Sequence, residues 1–226
     1  MSAALVLFDI DGTLLRRAGP HHRQALVDAV QSVCGIDTTT SHIPVQGMLD
    51  GDILAWMLRD AGVRQPRIRQ LMPFLMRRAQ WIYSRRCPGD LTGNVCPGVV
   101  EFLERLRQRR VPACLVSGNL SRIGWKKMER AGLKKYFRSG AFAERGATRA
   151  DLVRLAMREA REHGWLRRGV PVSLVGDHPN DVRAAKANGV RSVAVLTGVC
   201  SKQDLIGESP DVLVEDMRSL RLEQLL

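Results

Sequence analysis

The sequence predicts an α/β fold, a doubly wound parallel sheet with an inserted helical segment, and three observations carry that prediction. Short, near-continuously apolar runs recur at residues 4–8, 112–116, 171–175 and 192–196, with a weaker one at 212–214. Parallel strands covered on both faces read this way. Helical patterns separate the runs, and one long interval, from Leu15 to Thr92, holds helical patterns alone. Strands alternating with helices build a parallel sheet, and a helical stretch after the first strand reads as a cap set upon it. A chain of 226 residues can bury such a core without metal or disulfide support.

The elements follow in order. The apolar run 4–8 is the first strand, and it ends at Asp9. Within the insert, Ile53, Leu54, Met57 and Leu58 form a short helical stripe. Ile68, Leu71, Met72, Leu75, Met76, Ala79 and Ile82 form a longer one spaced by three and four, with Arg69, Arg77, Arg78 and Arg85 off it. Pro73 interrupts this stripe and predicts a kink there or the true start of the helix. Residues 16–92 are therefore assigned to a helical cap subdomain, and residues 1–15 and 93–226 to the core. Pro97-Gly98 opens a helix whose apolar positions are Val99, Val100, Leu103 and Leu106. A second core helix runs from about Arg149 to His163, with Leu152, Leu155 and Ala156 in register.

Composition excludes several classes. A hydrophobic fraction of 45% with 26% charged residues is that of a soluble globular protein, not a disordered or fibrous one. No stretch approaches the roughly 20 apolar residues of a bilayer span. The apolar residues 1–8 lack a basic flank and run into Asp9, which argues against a signal peptide. Cys34, Cys87, Cys96, Cys114 and Cys200 show no zinc or redox spacing, so a reduced, cytoplasmic protein is expected. The net charge of +12 admits a nucleic-acid surface, an anionic substrate or a solvated basic exterior. Aromatic residues make up only 5%, which leaves no evident stacking platform for nucleic acid. The excess sits in residues 15–96 and 97–169, whereas 1–14 and 170–226 are net acidic.

The chemistry gathers where strands end. The first gives Asp9-Ile10-Asp11-Gly12-Thr13-Leu14, the second Ser117-Gly118-Asn119, and a later one Gly176-Asp177-His178-Pro179-Asn180-Asp181. Residues two apart in an extended segment point to one side, so Asp9 and Asp11 are expected to project together and to need a compensating cation or proton. A fixed pattern of Asp, Asp, Gly and Thr arises by chance in about one window in 10⁵. In open α/β sheets, ligands bind beyond the carboxyl ends of the strands. Clustered carboxylates without a His or Cys partner suit a hard cation such as Mg²⁺. A carboxylate there can act as nucleophile, and a second one as general acid and base. Ser117 and the backbone N–H groups after it are placed to hold phosphate oxygens.

These motifs, over nearly the whole chain, resemble phosphatases of the haloacid dehalogenase superfamily, in particular the phosphoglycolate phosphatase-like branch with a helical cap. The resemblance implies a Rossmann-like core and a Mg²⁺-dependent phosphatase that hydrolyses a small phosphomonoester through an aspartyl-phosphate. It implies that Asp9 is the nucleophile and Asp11 the general acid/base. It also implies that the metal is held by the carboxylates of Asp9 and Asp177 and the main-chain oxygen of Asp11, with Asp181 in support. Ser117, Gly118 and Asn119 would bind phosphate. The family's third motif normally supplies a lysine; here Arg149 stands at the expected place and Lys127 is the alternative. The segment from Gly47 to Ile53 looks like the cap's substrate loop, which makes Asp50 and Asp52 its candidate contacts. His21, His22 and Arg23 begin the insert within reach of the substrate, although paired histidines near a loop more often face solvent and are not assigned as ligands. An aspartate at position 11 argues against a dehalogenase. The alternatives are a phosphoglucomutase-like phosphotransferase and, in another class, a basic nucleic-acid-binding or regulatory protein on the same scaffold.

Overall fold

Alternation within the first strand sets the architecture. In β1 (Leu5–Phe8), Leu5 and Leu7 join one apolar layer and Val6 and Phe8 the other, so both faces of the strand are buried. The computed structural model describes residues 4–225, so Met1 to Ala3 of the N-terminal apolar run lie outside the described residues. β1 pairs in parallel with β2 (Ala113–Ser117) on one side, through Val6 opposite Ala113, and with β4 (Val172–Gly176) on the other, through Val6 opposite Ser173. With β3 (Phe137–Phe142), β5 (Arg191–Val195) and β6 (Val212–Val214), the sheet is parallel throughout in the order β3-β2-β1-β4-β5-β6. The chain leaves β1 toward β2 and β3, then returns to the far side as β4. That reversal opens a crevice at the carboxyl ends of β1, β2 and β4.

β3 has no counterpart in the sequence reading. Its residues, Phe-Arg-Ser-Gly-Ala-Phe, alternate little, and its middle is half-exposed because it is an edge strand. Parallel strands read from apolar runs only where both faces are covered, and an edge escapes that rule. Phe137 at its start still packs edge-on against Phe8, 5.9 Å between ring centroids.

The insert carries α1 (His21–Cys34), α2 (Asp50–Asp60) and α3 (Gln65–Arg86), and no strand among its described residues. Ala25, Leu26, Ala29 and Val30 of α1, with Leu54 and Met57 of α2 and Leu75 and Ala79 of α3, share one apolar cluster with the Leu5/Leu7 face of the sheet. The helix α3 neither begins nor ends at Pro73. Pro66 occupies its first turn, where a missing N–H costs nothing, and Pro73 sits on the exposed face, where water can satisfy the carbonyl it frees. The two ends of the insert run side by side: Leu15 bridges Val95, and the Arg16 N–H donates to the Asn94 carbonyl at 2.9 Å.

The remaining helices are α4 (Val99–Gln108), α5 (Ser121–Arg130), α6 (Arg149–Glu162), α7 (Pro179–Ala187) and α8 (Lys202–Gly207). α5, α6 and α7 matter most for the site, because each starts within a few residues of a strand's carboxyl end. No helix among the described residues is long and apolar enough to cross a membrane.

Candidate active site

The loop after β1 is tight because the Ile10 carbonyl accepts from the N–H groups of both Leu14 and Leu15, each at 2.9 Å. Gly12 in that loop has φ +89°, and a Cβ there would lie 2.1 Å from Asp177 Oδ2. Gly198 faces the same carboxylate, and its Cβ would come within 1.8 Å. The Thr13 hydroxyl donates to Asp177 Oδ1 at 2.9 Å. Asp177, at the end of β4, is thus held in a cradle that side chains at either glycine would fill.

Asp181 follows on the first turn of α7, where it closes a capping box with the His178 N–H. Asp9, Asp177 and Asp181 are all buried, with ligand oxygens within 4.8 Å of one another. Burial, then the neighbouring Asp9 and Asp181, push the Asp177 carboxyl well above the usual carboxylate range. Burial also drives Asp181 up to about 7, against the pull of Arg149 and with Asp9 adding to it. Asp181 Oδ1 is buried without a hydrogen bond, although Arg149 Nη1 lies 3.1 Å away. Buried oxygens of one sign, one of them orphaned, fit a hard divalent cation of the Mg²⁺ type, which would favour the ionised form of Asp177 and Asp181.

One cation of the protein already enters this trio. Arg149 is the first residue of α6, fixed by a reciprocal cap between Thr148 and Asp151. Its Nη1 donates to Asp9 Oδ1 at 2.7 Å, while its buried Nε makes no hydrogen bond. The adjacent acids raise the guanidinium pKa, although its own burial works the other way.

Asp11 does not join the trio. β1 has ended at Phe8, so the two-residue alternation that would have placed Asp9 and Asp11 side by side no longer holds. The Asp11 carboxylate turns instead to Lys127 of α5, whose Nζ donates to both its oxygens at 2.7 and 2.6 Å. Asn119 Nδ2 adds a third bond to Asp11 at 2.7 Å and a fourth to Ser117 Oγ at 2.8 Å. Burial works to raise the Asp11 carboxyl, but Lys127, His22 and these bonds outweigh it and hold it down at about 2. Arg149 and Lys127 therefore both stand in the site, each with its own carboxylate.

Lys127 is itself buried and also bonds Asn119 Oδ1 at 2.7 Å and His22 Nδ1 at 3.1 Å. An ammonium can only donate, so His22 Nδ1 accepts and its Nε2–H donates to Asp50 Oδ2 at 2.9 Å. Asp50 Oδ2 also accepts from the Leu120 N–H at 2.7 Å, and the Asp50 N–H donates to the Gly118 carbonyl at 2.8 Å. Asn180 Nδ2 reaches the Gly47 carbonyl at 2.9 Å. The segment from Gly47 to Asp50 is thus bonded to the loop after β2 on one side and to α7 on the other. Asp50 lines the cavity beneath it, whereas Asp52 is exposed on α2 and does not.

His22, for which the sequence favours a solvent-facing place, is instead part of the site. Far from facing solvent, it is only 19% exposed in its side chain and links the cap to Lys127. The signal was present: His22 lies three and four residues before Ala25 and Leu26, on the stripe that α1 buries. Gly198 carried no comparable mark, since only the fold brings it beside Asp177. The cavity is about 1020 Å³ and is lined by Asp9, Asp11, His22, Lys127, Arg149 and Asp177, among others.

Comparison with known proteins agrees with this geometry. The family model for haloacid dehalogenase-like hydrolases matches residues 3–189. A phosphoglycolate phosphatase of Synechococcus elongatus is 27% identical over 213 residues, 93% of this chain and 92% of that protein. Another, from Agrobacterium fabrum, is 25% identical, covering 96% and 90%. A crystal structure of beta-phosphoglucomutase from Clostridium difficile superposes with a TM-score of 0.72 at 17% identity, covering 99% of this chain and 95% of that one, which establishes likeness of fold.

Proposed function

The chain belongs to the haloacid dehalogenase-like hydrolase family, and we propose that it is a Mg²⁺-dependent phosphatase that hydrolyses a small phosphomonoester through an aspartyl-phosphate on Asp9. The observation that carries this reading is the division of the strand-end acids. Asp9 sits with Asp177 and Asp181 in a buried trio, while Asp11 stands apart at the same cavity with its own cation.

The carboxylates of Asp9, Asp177 and Asp181, with the main-chain oxygen of Asp11, would hold the metal ion, which when bound offsets the charge of the trio and of the incoming phosphate. Arg149, aimed at Asp9, neutralises a phosphate oxygen and fixes the group for in-line attack. An Asp9 carboxylate oxygen forms the new bond to phosphorus as the bond to the leaving oxygen breaks. Asp11 gives that oxygen a proton, then takes one from the water that cleaves the aspartyl-phosphate. With Lys127 bound, Asp11 is in the ionised form suited to the second step. The acid form needs that hold loosened, which phosphate oxygens competing for the Lys127 ammonium would accomplish. Asn119, bonded to both Asp11 and Ser117, keeps the acid/base aligned with the phosphate loop.

Phosphoglycolate, named in the relatives, is the first natural ester to assay, beside p-nitrophenyl phosphate as a general probe. Turnover should require Mg²⁺ and stop with chelator. Metal-independent turnover, or none with any phosphate ester, would reject the reading, and release of free phosphate rather than its transfer to a sugar separates hydrolysis from a phosphotransferase.

A further inference from the structure

We propose that Gln80, a residue of the insert that does not line the cavity, is a positioning residue for the reaction: with Asp50 it supplies the N-terminal hydrogen bonds that α5 lacks, and so holds Lys127 and the loop after β2 in place. This rests on the phosphatase reading of the cavity and adds a residue to it.

Three helices of the core cap themselves. Thr148 and Asp151 do so for α6, His178 and Asp181 for α7, and Ser201 and Asp204 for α8, each through a local, reciprocal box. α5 has no such side chain, because its N-cap is Leu120. Its first turn also holds no acid and carries Arg122, a charge of the wrong sign for the positive end of a helix. The N–H groups that a helix start leaves open are met here from elsewhere. The Leu120 N–H donates to Asp50 Oδ2 at 2.7 Å, and the Ser121 N–H to the Glu144 carboxylate at 3.0 and 3.1 Å. The Arg122 N–H donates to Gln80 Oε1 at 2.9 Å, and the Ser121 hydroxyl reaches the same oxygen at 3.4 Å. Asp50 and Gln80 both come from the insert, and they stand 70 and 42 positions from the N–H groups they accept.

Gln80 serves this contact rather than packing. It is buried on α3 beside Leu75, Ala79, Ile82 and Tyr83. An apolar residue would fill that place at least as well, since a buried amide costs free energy unless its polar atoms are bonded. Among the described residues, its Oε1 meets only α5.

The seat of α5 in turn sets the acid/base side of the cavity. The helix follows directly on Ser117-Gly118-Asn119 and carries Lys127, whose Nζ holds Asp11 and Asn119. Gly124 lets it come close: a Cβ there would lie 2.5 Å from Phe142 Cε1 and 3.1 Å from Ile10 Cδ1, and Ile10 stands between Asp9 and Asp11. The same glycine weakens the helix. A helix moves as a unit, so a shift at Arg122 is passed on to Lys127, little more than a turn further along.

The test compares Gln80→Leu, which removes the acceptor, with Gln80→Glu, which keeps one at the positive end of α5. With Mg²⁺ and p-nitrophenyl phosphate, Gln80→Leu should lower kcat about tenfold and leave KM within about twofold, since alignment is lost and no substrate contact is. Gln80→Glu should bring kcat back to within about threefold of wild type. Wild-type kcat in Gln80→Leu, equal losses in the two variants, or a loss confined to KM overturns the proposal. Amide hydrogen exchange reads the same hold without turnover. In Gln80→Leu, exchange over residues 120–128 should quicken at least about tenfold, while the first turn of α6, capped by its own Thr148 and Asp151, keeps its wild-type rate. Unchanged exchange over residues 120–128, or an equal rise throughout the chain, overturns the proposal. Failure of the wild type to hydrolyse any phosphate ester would reject the phosphatase reading, and exchange would still decide whether Gln80 holds α5.

Discussion

Asp9 and Asp11 are two residues apart and sit in opposite electrostatic surroundings. On the Asp9 side, three buried carboxylates share one guanidinium, and two of the acids are pushed toward their protonated form. On the Asp11 side, one ammonium and one amide bond a single carboxylate, which is held ionised, and the His22 imidazole accepts from that ammonium. The first half is deficient in positive charge and is completed from outside the protein. The second is balanced within it. On the proposed roles, one loop would separate a nucleophile from an acid/base by assigning each carboxylate its own partners, not by distance along the chain.

The sharpest way to break the comparison is Asp9→Asn. It should lower kcat for p-nitrophenyl phosphate by at least about 10³-fold with an unchanged circular dichroism spectrum; activity near wild type would move the nucleophile elsewhere. Next come the two cations. Arg149→Ala should cost roughly 10²-fold in kcat by removing charge from the phosphate. Lys127→Met should act chiefly on pH dependence, because the Asp11 carboxyl then rises from about 2 and carries the acidic limb of the kcat/KM profile upward. Identical pH profiles for Lys127→Met and wild type would dissolve the proposed pairing.

The imbalance on the Asp9 side should also be measurable as stability. Asp177 and Asp181 bind protons more tightly folded than unfolded, so their contribution is complete below the unfolded carboxylate range near pH 4. It is lost as pH rises through about 7, the folded value of Asp181. With chelator present, the thermal midpoint of Asp181→Asn should therefore fall less over that interval than the wild type's, and Mg²⁺ should offset the wild-type loss. Parallel curves in chelator would contradict the charge deficit. The smallest effect distinguishes the two cap acids. Asp50→Ala strands the Leu120 N–H and the His22 Nε2–H and should cost about 1–3 kcal/mol in urea unfolding, against under about 0.5 kcal/mol for exposed Asp52→Ala.

Much of this was legible before the fold was known, and the exceptions have physical causes. Residues 4–8, 112–116 and 171–175 read as strands because both of their faces are buried, and the motifs at their ends fell together because parallel strands share one carboxyl edge. β3 escaped because an edge strand keeps polar residues. Pro73 does not start the helix, because a proline on an exposed helix face breaks nothing that water cannot replace. His22 was taken for a solvent residue because a pair of histidines carries less signal than the apolar stripe on which one of them lies.

Sequence by itself determined the family resemblance, the parallel sheet, the helical insert and the inventory of acids and cations, since each is a matter of local periodicity or a short motif. Tertiary structure alone decided the pairing. Lys127 is 116 positions from Asp11 and Arg149 is 140 from Asp9, so both stood as candidates for one role until the fold gave each a different carboxylate. Charge partners are chosen by separation in space and by burial, and neither quantity is written along the chain.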